Sequence, residues 1–193
     1  MRGIEQIPLV YDALMTVNDR IGLWKLRAWL TAEASGRVVE IGCGTGRNLP
    51  RYPRAAAVIG VDPSLDALGR AKRRSPSAVL VCAKGEALPF GEASFDTAVS
   101  SLVLCSVPNP KALLAEMRRV LRRTGSLRLL EHVRSESPWH ARLQDLVQPV
   151  WTRVTGGCHP NRDTEAAVRT AGFRIEDRRV NGTLRRLVAR KTH

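Results

Sequence analysis

A glutamate and a histidine stand side by side at the end of an apolar segment, where groups that handle protons are often found. Residues 126–133 are typical of a buried strand, and Glu131 and His132 come at its carboxyl end. Ligands and catalytic groups of open α/β sheets gather beyond the carboxyl ends of the strands. Because an imidazole can gain or lose a proton near neutral pH, this pair marks a candidate reactive site.

A glycine-rich loop early in the chain could bind a ligand through its backbone. Residues 37–49 begin with apolar, β-branched residues and continue with Gly42, Gly44 and Gly46, which predicts a strand, a tight turn and a helix. Glycine permits the unusual backbone angles of such a turn and the close approach of a ligand. The dinucleotide fingerprint G-x-G-x-x-G would require glycine where this chain has Arg47, which argues against a dinucleotide.

Two acidic residues accompany this loop. Glu40 precedes the first glycine, and Asp62 ends a second short apolar segment, residues 58–62. A carboxylate at the tip of the second strand can accept hydrogen bonds from both hydroxyls of a ribose. The order of these residues therefore favours a nucleoside-containing ligand.

The rest of the chain alternates strand patterns with helical patterns. Further strands are predicted at residues 78–82, 94–107, 126–133, 173–177 and 184–190. Helices are predicted at residues 65–74, 111–123, 139–151 and 163–172, with the third broken by Pro149. This alternation predicts an α/β fold, a doubly wound, seven-stranded, mostly parallel sheet with an antiparallel final strand and helices on both faces.

Taken in order, these segments resemble the class I S-adenosylmethionine-dependent methyltransferases, and the resemblance extends from Glu40 to Arg190. It implies a Rossmann-like fold and S-adenosylmethionine as the cofactor, with the amino acid end at the glycine loop and the ribose on Asp62. It places the adenine beside residues 83–90, where Lys84 replaces an acid that the family often has. The cofactor-binding residues that it implies are Tyr11, Glu40, Gly42, Cys43, Gly44, Thr45, Gly46, Asp62, Pro63, Gly85, Glu86, Ala87 and Ser101.

The segment before the first strand is expected to close over this cofactor. Residues 4–32 carry apolar side chains at helical spacing with interruptions near Asn18 and Gly22, which predicts two short amphipathic helices. The predicted organisation is a single domain, residues 1–193, with a helical lid at 1–33, a Rossmann-like core at 37–190 and a substrate-side insertion at 135–162.

A narrower resemblance concerns the methyl acceptor. Residues 102–107, 130–133, 139–151 and 157–162 look like those of the alkyl-thiol S-methyltransferases and their bacterial relatives. This resemblance implies methyl transfer to a small, fairly apolar or lipid-like acceptor, with a thiol as the first choice. A phosphatidylethanolamine-type phospholipid N-methyltransferase and a quinone-pathway C-methyltransferase are the alternatives, and a nonenzymatic cofactor-binding module is a further one.

Such a reaction gives a nearby base the task of removing a proton from the acceptor. His132 is the first candidate for this base and His159 is the second, while Glu131 is expected to orient His132 or to face the cofactor. Cys105 and Cys158 could line the pocket, but structural roles are expected for both. The four cysteines are widely separated and lack C-x-x-C spacing, which argues against a zinc site or a redox pair, so no metal is expected.

The charge balance of the chain bears on its partners. The 193 residues contain 31 Lys and Arg against 18 Asp and Glu, a net charge of +13, which suits an anionic surface. The basic residues are scattered without an RNA-binding signature, so we expect no nucleic acid and at most weak association with acidic phospholipid. With no long apolar run and no signal-peptide pattern, a cytoplasmic location is expected.

Overall fold

The computed structural model describes residues 7–192, which are built around a seven-stranded sheet. The strands are β1 (Arg37–Ile41), β2 (Ala57–Asp62), β3 (Val79–Cys82), β4 (Phe95–Ser101), β5 (Leu121–His132), β6 (Phe173–Asn181) and β7 (Leu184–Lys191). Their order across the sheet is β3-β2-β1-β4-β5-β7-β6, and β7 alone runs antiparallel to its neighbours β5 and β6. The predicted α/β class, the mostly parallel sheet and the antiparallel final strand are confirmed.

The direction of winding reverses between β1 and β4. The chain proceeds outward from β1 through β2 to β3, then returns to pair β4 with β1, so that Val39 lies opposite Ala98. Loops that leave β1 and β4 therefore depart toward opposite faces and leave a crevice at the carboxyl edge of the sheet. Ligands of open α/β sheets bind in this type of crevice.

Helices cover both faces of the sheet. They are α1 (Pro8–Asn18), α2 (Trp24–Ala32), α3 (Leu65–Arg74), α4 (Pro110–Val120), α5 (Pro138–Thr155) and α6 (Thr164–Thr170). One apolar core joins α4 and α6 to Val39 and Ile41 of β1, while a second core joins α2 to Val38. Successive strand residues point to opposite faces, so neighbouring valines of β1 contribute to different cores.

The two predicted N-terminal helices are present, but they pack differently. A π-helical turn at Asp19–Leu23 separates them, and Gly22 supplies a φ of 125° that other residues rarely adopt. Helix α2 buries Leu26 and Leu30 in the second core, whereas α1 leaves Leu9 63% exposed. Within the segment predicted to be a lid, α1 is therefore more exposed than α2.

The helix predicted directly after the glycine loop is wrong. The structure has a short 3₁₀ turn at Leu49–Arg51, and the chain then enters β2 without an α-helix. Pro50 and Pro53 lie in this link. Because neither proline can donate a backbone hydrogen bond, a continuing α-helix is disfavoured here.

The predicted break at Pro149 is also wrong. Helix α5 runs without interruption through Pro149, although the proline removes the backbone hydrogen bond that would reach the carbonyl of Asp145. One face of α5 is an exposed apolar stripe, which we define as Trp139, Leu143, Leu146 and Val150. Their spacing of three and four residues places them on one side of the helix.

Candidate active site

The three loop glycines have different structural reasons to be glycine. Gly42, Gly44 and Gly46 have φ values of 69°, 52° and 77°, in the left-handed region. A Cβ at Gly42 would clash with Val103, and one at Gly46 would lie 2.8 Å from the Cβ of Ala71. Among the described residues no heavy atom outside the immediate neighbours would lie within 4 Å of a Cβ at Gly44. Gly44 is thus the glycine that faces open space.

Asp62 ties the glycine loop to the end of β2. Its Oδ2 accepts a hydrogen bond of 2.9 Å from the Gly44 N–H, and its Oδ1 accepts one of 2.9 Å from Ser64. Burial raises the pKa of Asp62, although both backbone hydrogen bonds act in the opposite direction. Each carboxylate oxygen can accept a second hydrogen bond, so this side chain retains acceptor capacity for ribose hydroxyls.

Glu40 is buried beneath the same loop. Its carboxylate accepts hydrogen bonds from Asn48 Nδ2 at 2.7 Å and from the Tyr52 hydroxyl at 3.0 Å. Burial raises the pKa of Glu40 to about 7, against the lowering effect of both hydrogen bonds and of Arg27. Glu40 therefore changes charge near neutral pH.

Helix α1 is fastened over the glycine loop by Asp12. The carboxylate accepts hydrogen bonds from Thr45 Oγ1 at 2.7 Å, from Arg47 Nε at 3.0 Å and from Arg74 Nη2 at 3.2 Å. Burial would raise the pKa of Asp12, but the hydrogen bond from Thr45 and the two guanidiniums outweigh it and lower the pKa. We call Asp12, Thr45, Arg47 and Arg74 the lid latch.

A narrow cavity lies between the lid and the loop. Its lining consists of Tyr11, Arg27, Glu40, Gly42, Cys43, Thr45, Arg47, Asn48 and Ser101. The cavity volume is about 10 Å³, which is space for about one water molecule, so α1 covers the glycine loop closely in this structure. The Cys43 side chain is 5% exposed and lies against Gly60, so Cys43 borders the cavity without a reactive thiolate, since burial raises its pKa.

Three cavity residues, Arg27, Arg47 and Asn48, were not predicted from the sequence. Arg27 is 2% exposed and donates to Asn48 Oδ1 at 3.1 Å, and it pairs with Asp19 at 3.0 Å. Arg47 pairs with Asp19 at 2.8 Å. The available signal was an arginine among the apolar residues of α2 and another immediately after the glycine loop.

The residues expected around the adenine lie at the same edge. Asp62 pairs in register with Cys82, so Pro63 and residues 85–87 leave neighbouring strands side by side. A Cβ at Gly85 would lie 2.7 Å from Leu113, which makes this glycine a packing requirement. Glu86 is half-buried and Ala87 is exposed.

Glu131 holds the loop after β4 in place. Its fully buried carboxylate accepts hydrogen bonds from Ser100 Oγ at 3.0 Å, Val103 N–H at 3.1 Å and Cys105 N–H at 3.4 Å. Burial raises the pKa of Glu131, while these hydrogen bonds lower it. The loop needs such support because Leu102 has a φ of 60°, a strained value for leucine. The geometry gives Glu131 a positioning role.

His132 lies beside two cysteines. One ring nitrogen of His132 and the Sγ atoms of Cys105 and Cys158 all lie within 4.8 Å of one another. We call these residues the thiol-imidazole cluster. The Cys105 thiol donates a hydrogen bond to Cys158. This hydrogen bond, followed by those of His132 and Trp151, lowers the pKa of Cys158, although burial acts in the opposite direction. The pKa of Cys105 is raised by the same hydrogen bond and by burial.

Sequence spacing failed for these cysteines. Cys105 follows β4 and Cys158 follows α5, yet the backbone N–H of His159 donates to the Cys105 carbonyl at 2.7 Å and joins the two loops. The spacing along the chain therefore does not reveal that Cys105 and Cys158 lie close together in the fold. All four cysteines are free, and Cys82 alone of the four is exposed.

His159, the second candidate base, lies outside the thiol-imidazole cluster. Its Nδ1 is 3.0 Å from Gln148 Nε2 on α5, and burial, followed by the charge of Arg162, lowers its pKa. The structure therefore brings His132 together with the two thiols and holds His159 against α5.

A wider cavity lies far from these groups. It has a volume of about 540 Å³ at the amino edge of the sheet and is lined by Arg118, Arg123, Lys191 and Thr192. Its lining contains no residue expected to bind cofactor or acceptor. We therefore place the site at the carboxyl edge.

Comparison with known proteins defines the class. A family model described as a methyltransferase domain matches residues 39–129. The chain is 29% identical to thiol S-methyltransferase TMT1A of Homo sapiens, over 86% of this chain and 71% of that protein. It is 36% identical to thiol S-methyltransferase TMT1B of Homo sapiens, over 72% of this chain and 62% of that protein. The chain thus spans about three fifths of the length of TMT1B.

Other matches are named for different methyl acceptors. A phosphatidylethanolamine N-methyltransferase of Cereibacter sphaeroides is 36% identical over 50% of this chain and 51% of that protein. A demethylmenaquinone methyltransferase of Renibacterium salmoninarum is 36% identical over 59% of this chain and 52% of that protein. A solved structure of a possible histamine N-methyltransferase from Thermotoga maritima covers 98% of each chain with a TM-score of 0.77 at 22% identity, a likeness of fold.

The matches identify a methyltransferase domain at residues 39–129 on a Rossmann-like fold, and they indicate S-adenosylmethionine as the cofactor. The residues present fit that group. Gly44 leaves open space at the loop, Asp62 keeps acceptor capacity, and Arg27 offers a guanidinium where the amino acid end would lie.

Proposed function

We propose that this protein transfers the methyl group of S-adenosylmethionine to a small, fairly apolar thiol. The observation that carries the proposal is the thiol-imidazole cluster, which sets His132 among buried sulfur atoms at the carboxyl edge of the sheet. An apolar, sulfur-rich surrounding suits an apolar thiol, and an imidazole suits the removal of its proton. The names of the two human relatives support the same acceptor.

In this proposal the cofactor spans the crevice from the glycine loop toward β3. Gly42 to Gly46 bind its amino acid end, with Tyr11 and Arg27 beside it. Asp62 accepts the ribose hydroxyls, and residues 85–87 line the adenine. Ser101 ends β4 between the cavity and the acceptor side, since Arg27 Nη1 lies 3.5 Å from its hydroxyl.

The cofactor supplies a methyl group made electrophilic by a sulfonium. His132 takes the proton of the acceptor thiol while the thiol sulfur forms its bond to the methyl carbon. Bound S-adenosylmethionine would supply the methyl group, and its sulfur would keep the electron pair of the carbon–sulfur bond that breaks. Glu131 keeps the loop of Cys105 in position, and the closed lid excludes water. Alignment of the three reacting atoms supplies a large part of the rate.

The exposed stripe on α5 favours a second candidate, a phospholipid headgroup N-methyltransferase. Trp139 is 73% and Leu146 is 76% exposed, and the chain carries a net charge of +13. Such a face suits the apolar and anionic layers of a membrane surface, and one relative is named for a phospholipid reaction. Within residues 7–192 every helix is too short or too polar to cross a membrane. The four free thiols favour a reducing, cytoplasmic setting for either candidate.

A competition assay separates the candidates. Purified protein with labelled cofactor is offered an alkyl thiol, phosphatidylethanolamine vesicles and a demethylated quinol at equal acceptor concentration. We expect the label in the thioether product. Label in phospholipid that increases with acidic lipid and decreases with salt would instead establish the second candidate, and label in the quinol alone would contradict both.

A further inference from the structure

The thiol-imidazole cluster has the ligand types of a zinc site. Two thiolates and one imidazole are the protein ligands found in some catalytic zinc sites, which keep the fourth position open. Here the three ligand atoms lie within 4.8 Å of one another, Cys105 and Cys158 are each 1% exposed, and His132 is half-buried. We propose that Cys105, His132 and Cys158 bind one Zn²⁺ ion, whose open fourth position takes the sulfur of the acceptor thiol.

The distances are close to those of a bound ion. Zinc lies about 2.3 Å from sulfur and about 2.0–2.1 Å from a histidine nitrogen in a tetrahedron, which separates its ligand atoms by roughly 3.5–3.8 Å. The observed limit of 4.8 Å is about 1 Å wider. Small side-chain rotations close such a gap without movement of the backbone.

The backbone around the cluster is already fixed. The Cys105 N–H donates to Glu131, and its carbonyl accepts from the His159 N–H at 2.7 Å. The Cys158 carbonyl accepts from Thr152 Oγ1 at 2.8 Å. Metal sites depend on such outer contacts, because they hold the ligands in position before the ion arrives.

A second bridge joins the same two loops. Arg162 Nη1 donates to the carbonyls of Leu104 at 2.6 Å and Val107 at 2.8 Å, on either side of Cys105. The loop of Cys158 therefore cannot separate from the loop of Cys105 without loss of a charge-assisted hydrogen bond. These contacts hold together the two loops that carry Cys105 and Cys158.

The inference rests on the proposed thiol reaction and adds a means of activation. A thiol that coordinates Zn²⁺ releases its proton to solvent and remains bound as a thiolate. That sulfur then forms the bond to the methyl carbon, the bond to the sulfonium breaks, and the neutral thioether dissociates because it is a weaker ligand. In the zinc-loaded protein His132 is a ligand, and in the metal-free protein it is the base.

Cobalt substitution tests the site without any methyl transfer. Full-length protein is stripped with a chelator under reducing conditions and titrated with Co²⁺. We expect a thiolate-to-cobalt charge-transfer band that saturates at one ion per chain, with the intense visible bands of four-coordinate Co²⁺, and displacement by Zn²⁺. An added alkyl thiol should shift the visible bands because it occupies the fourth position.

Variants assign the ligands. Cys105→Ser, Cys158→Ser and His132→Ala should each weaken Zn²⁺ binding by at least about tenfold, because even outer-shell changes can cost that much. Cys82→Ser removes the exposed cysteine and should leave the titration unchanged. No charge-transfer band, or a band that survives loss of either Cys105 or Cys158, would overturn the site. A Cys105–Cys158 disulfide in protein purified without reductant, together with no cobalt binding after reduction, would also overturn it.

The two proposals fail separately. Thiol methylation by stripped protein that binds no Co²⁺ retains the proposed function and rejects the zinc site. Cobalt binding at the three ligands, together with methylation of phospholipid and not of thiols, retains the metal site and rejects the thiol acceptor. A Co²⁺ spectrum that does not respond to an added thiol rejects the open fourth position.

Discussion

The cofactor half and the acceptor half of the carboxyl edge are assembled in opposite ways. In the cofactor half, residues 40–48 and Asp62 contact one another through backbone and side-chain hydrogen bonds over short stretches of chain. In the acceptor half, Cys105, His132 and Cys158 come from three separate elements and meet only in the folded protein. The first half is therefore encoded by a local motif, and the second by tertiary packing.

The largest expected effect comes from the acceptor half. In metal-free protein, where His132 is the base, His132→Ala should lower thiol turnover by about 10²–10⁴-fold, the usual contribution of a general base, while calorimetry shows unchanged cofactor affinity. The loss should shrink at high pH, where the acceptor thiol ionises unaided. His159→Ala is the matched control and should cost much less, since its ring contacts Gln148 outside the cluster. Equal turnover of His132→Ala and parent across the pH range would remove the assignment.

The next effect concerns Glu40 in the cofactor half. Its pKa is about 7 in the folded protein against 4.5 for an ordinary glutamate. The folded protein therefore holds an extra proton between these pH values, and its free energy of unfolding falls as the pH rises through this window. Above pH 7 the buried charge costs on the order of 3 kcal/mol.

Glu40→Gln should remove this pH dependence and raise the free energy of unfolding above pH 7 by about that amount. Denaturant unfolding of cofactor-free protein at several pH values is the measurement, and Glu92→Gln, at an exposed position, is the matched control. The same slope between about pH 4.5 and 7 in Glu40→Gln and in the parent would contradict the assignment.

Asp62→Ala tests the ribose contact. Loss of a charge-assisted hydrogen bond should weaken cofactor binding by about 1.5–3 kcal/mol, as measured by calorimetry. Asp66→Ala, on the exposed side of α3, is the control and should bind normally. Because Asp62 also holds Gly44, thermal unfolding without cofactor should be measured beside it, and unchanged affinity would move the ribose elsewhere.

The lid latch should show the smallest effect. Asp12→Asn weakens partly exposed ion pairs with Arg47 and Arg74, which are worth about 1 kcal/mol after solvent screening. The lowered pKa of Asp12 means that the latch is intact above pH 3.8 and is lost as the pH falls through the lowered value. Faster hydrogen exchange in α1 of Asp12→Asn, with Asp66→Asn unchanged, is the expected result; equal exchange would argue against a latch.

The same contrast explains what the sequence could predict. Alternating strand and helix patterns were enough for the α/β class and the seven-stranded, mostly parallel sheet, because each pattern extends over a short local stretch of chain. The glycine loop and Asp62 could be found because their spacing is local. The 3₁₀ turn at Leu49–Arg51 was missed because prolines override a helical pattern.

The acceptor half could not be found in this way. Nothing in the spacing of Cys105 and Cys158 indicates that a helix of 18 residues returns one loop onto the other. Glu131 presented a related difficulty. An ionisable residue at a strand end can face a ligand or, as here, accept hydrogen bonds from backbone N–H groups of the neighbouring loop. Only burial distinguishes these cases, and burial is a property of the whole fold.

Gly44 separates two demands that usually coincide in a binding loop. A side chain at Gly42 or Gly46 would clash with other atoms of the protein, whereas the space beside Gly44 is open to a bound ligand. A methyl group added there would burden the chain only with the modest strain of a left-handed alanine. A library screened for expression alone would therefore accept substitutions at Gly44 more readily than at Gly42, and a second screen for ligand capture would discard them.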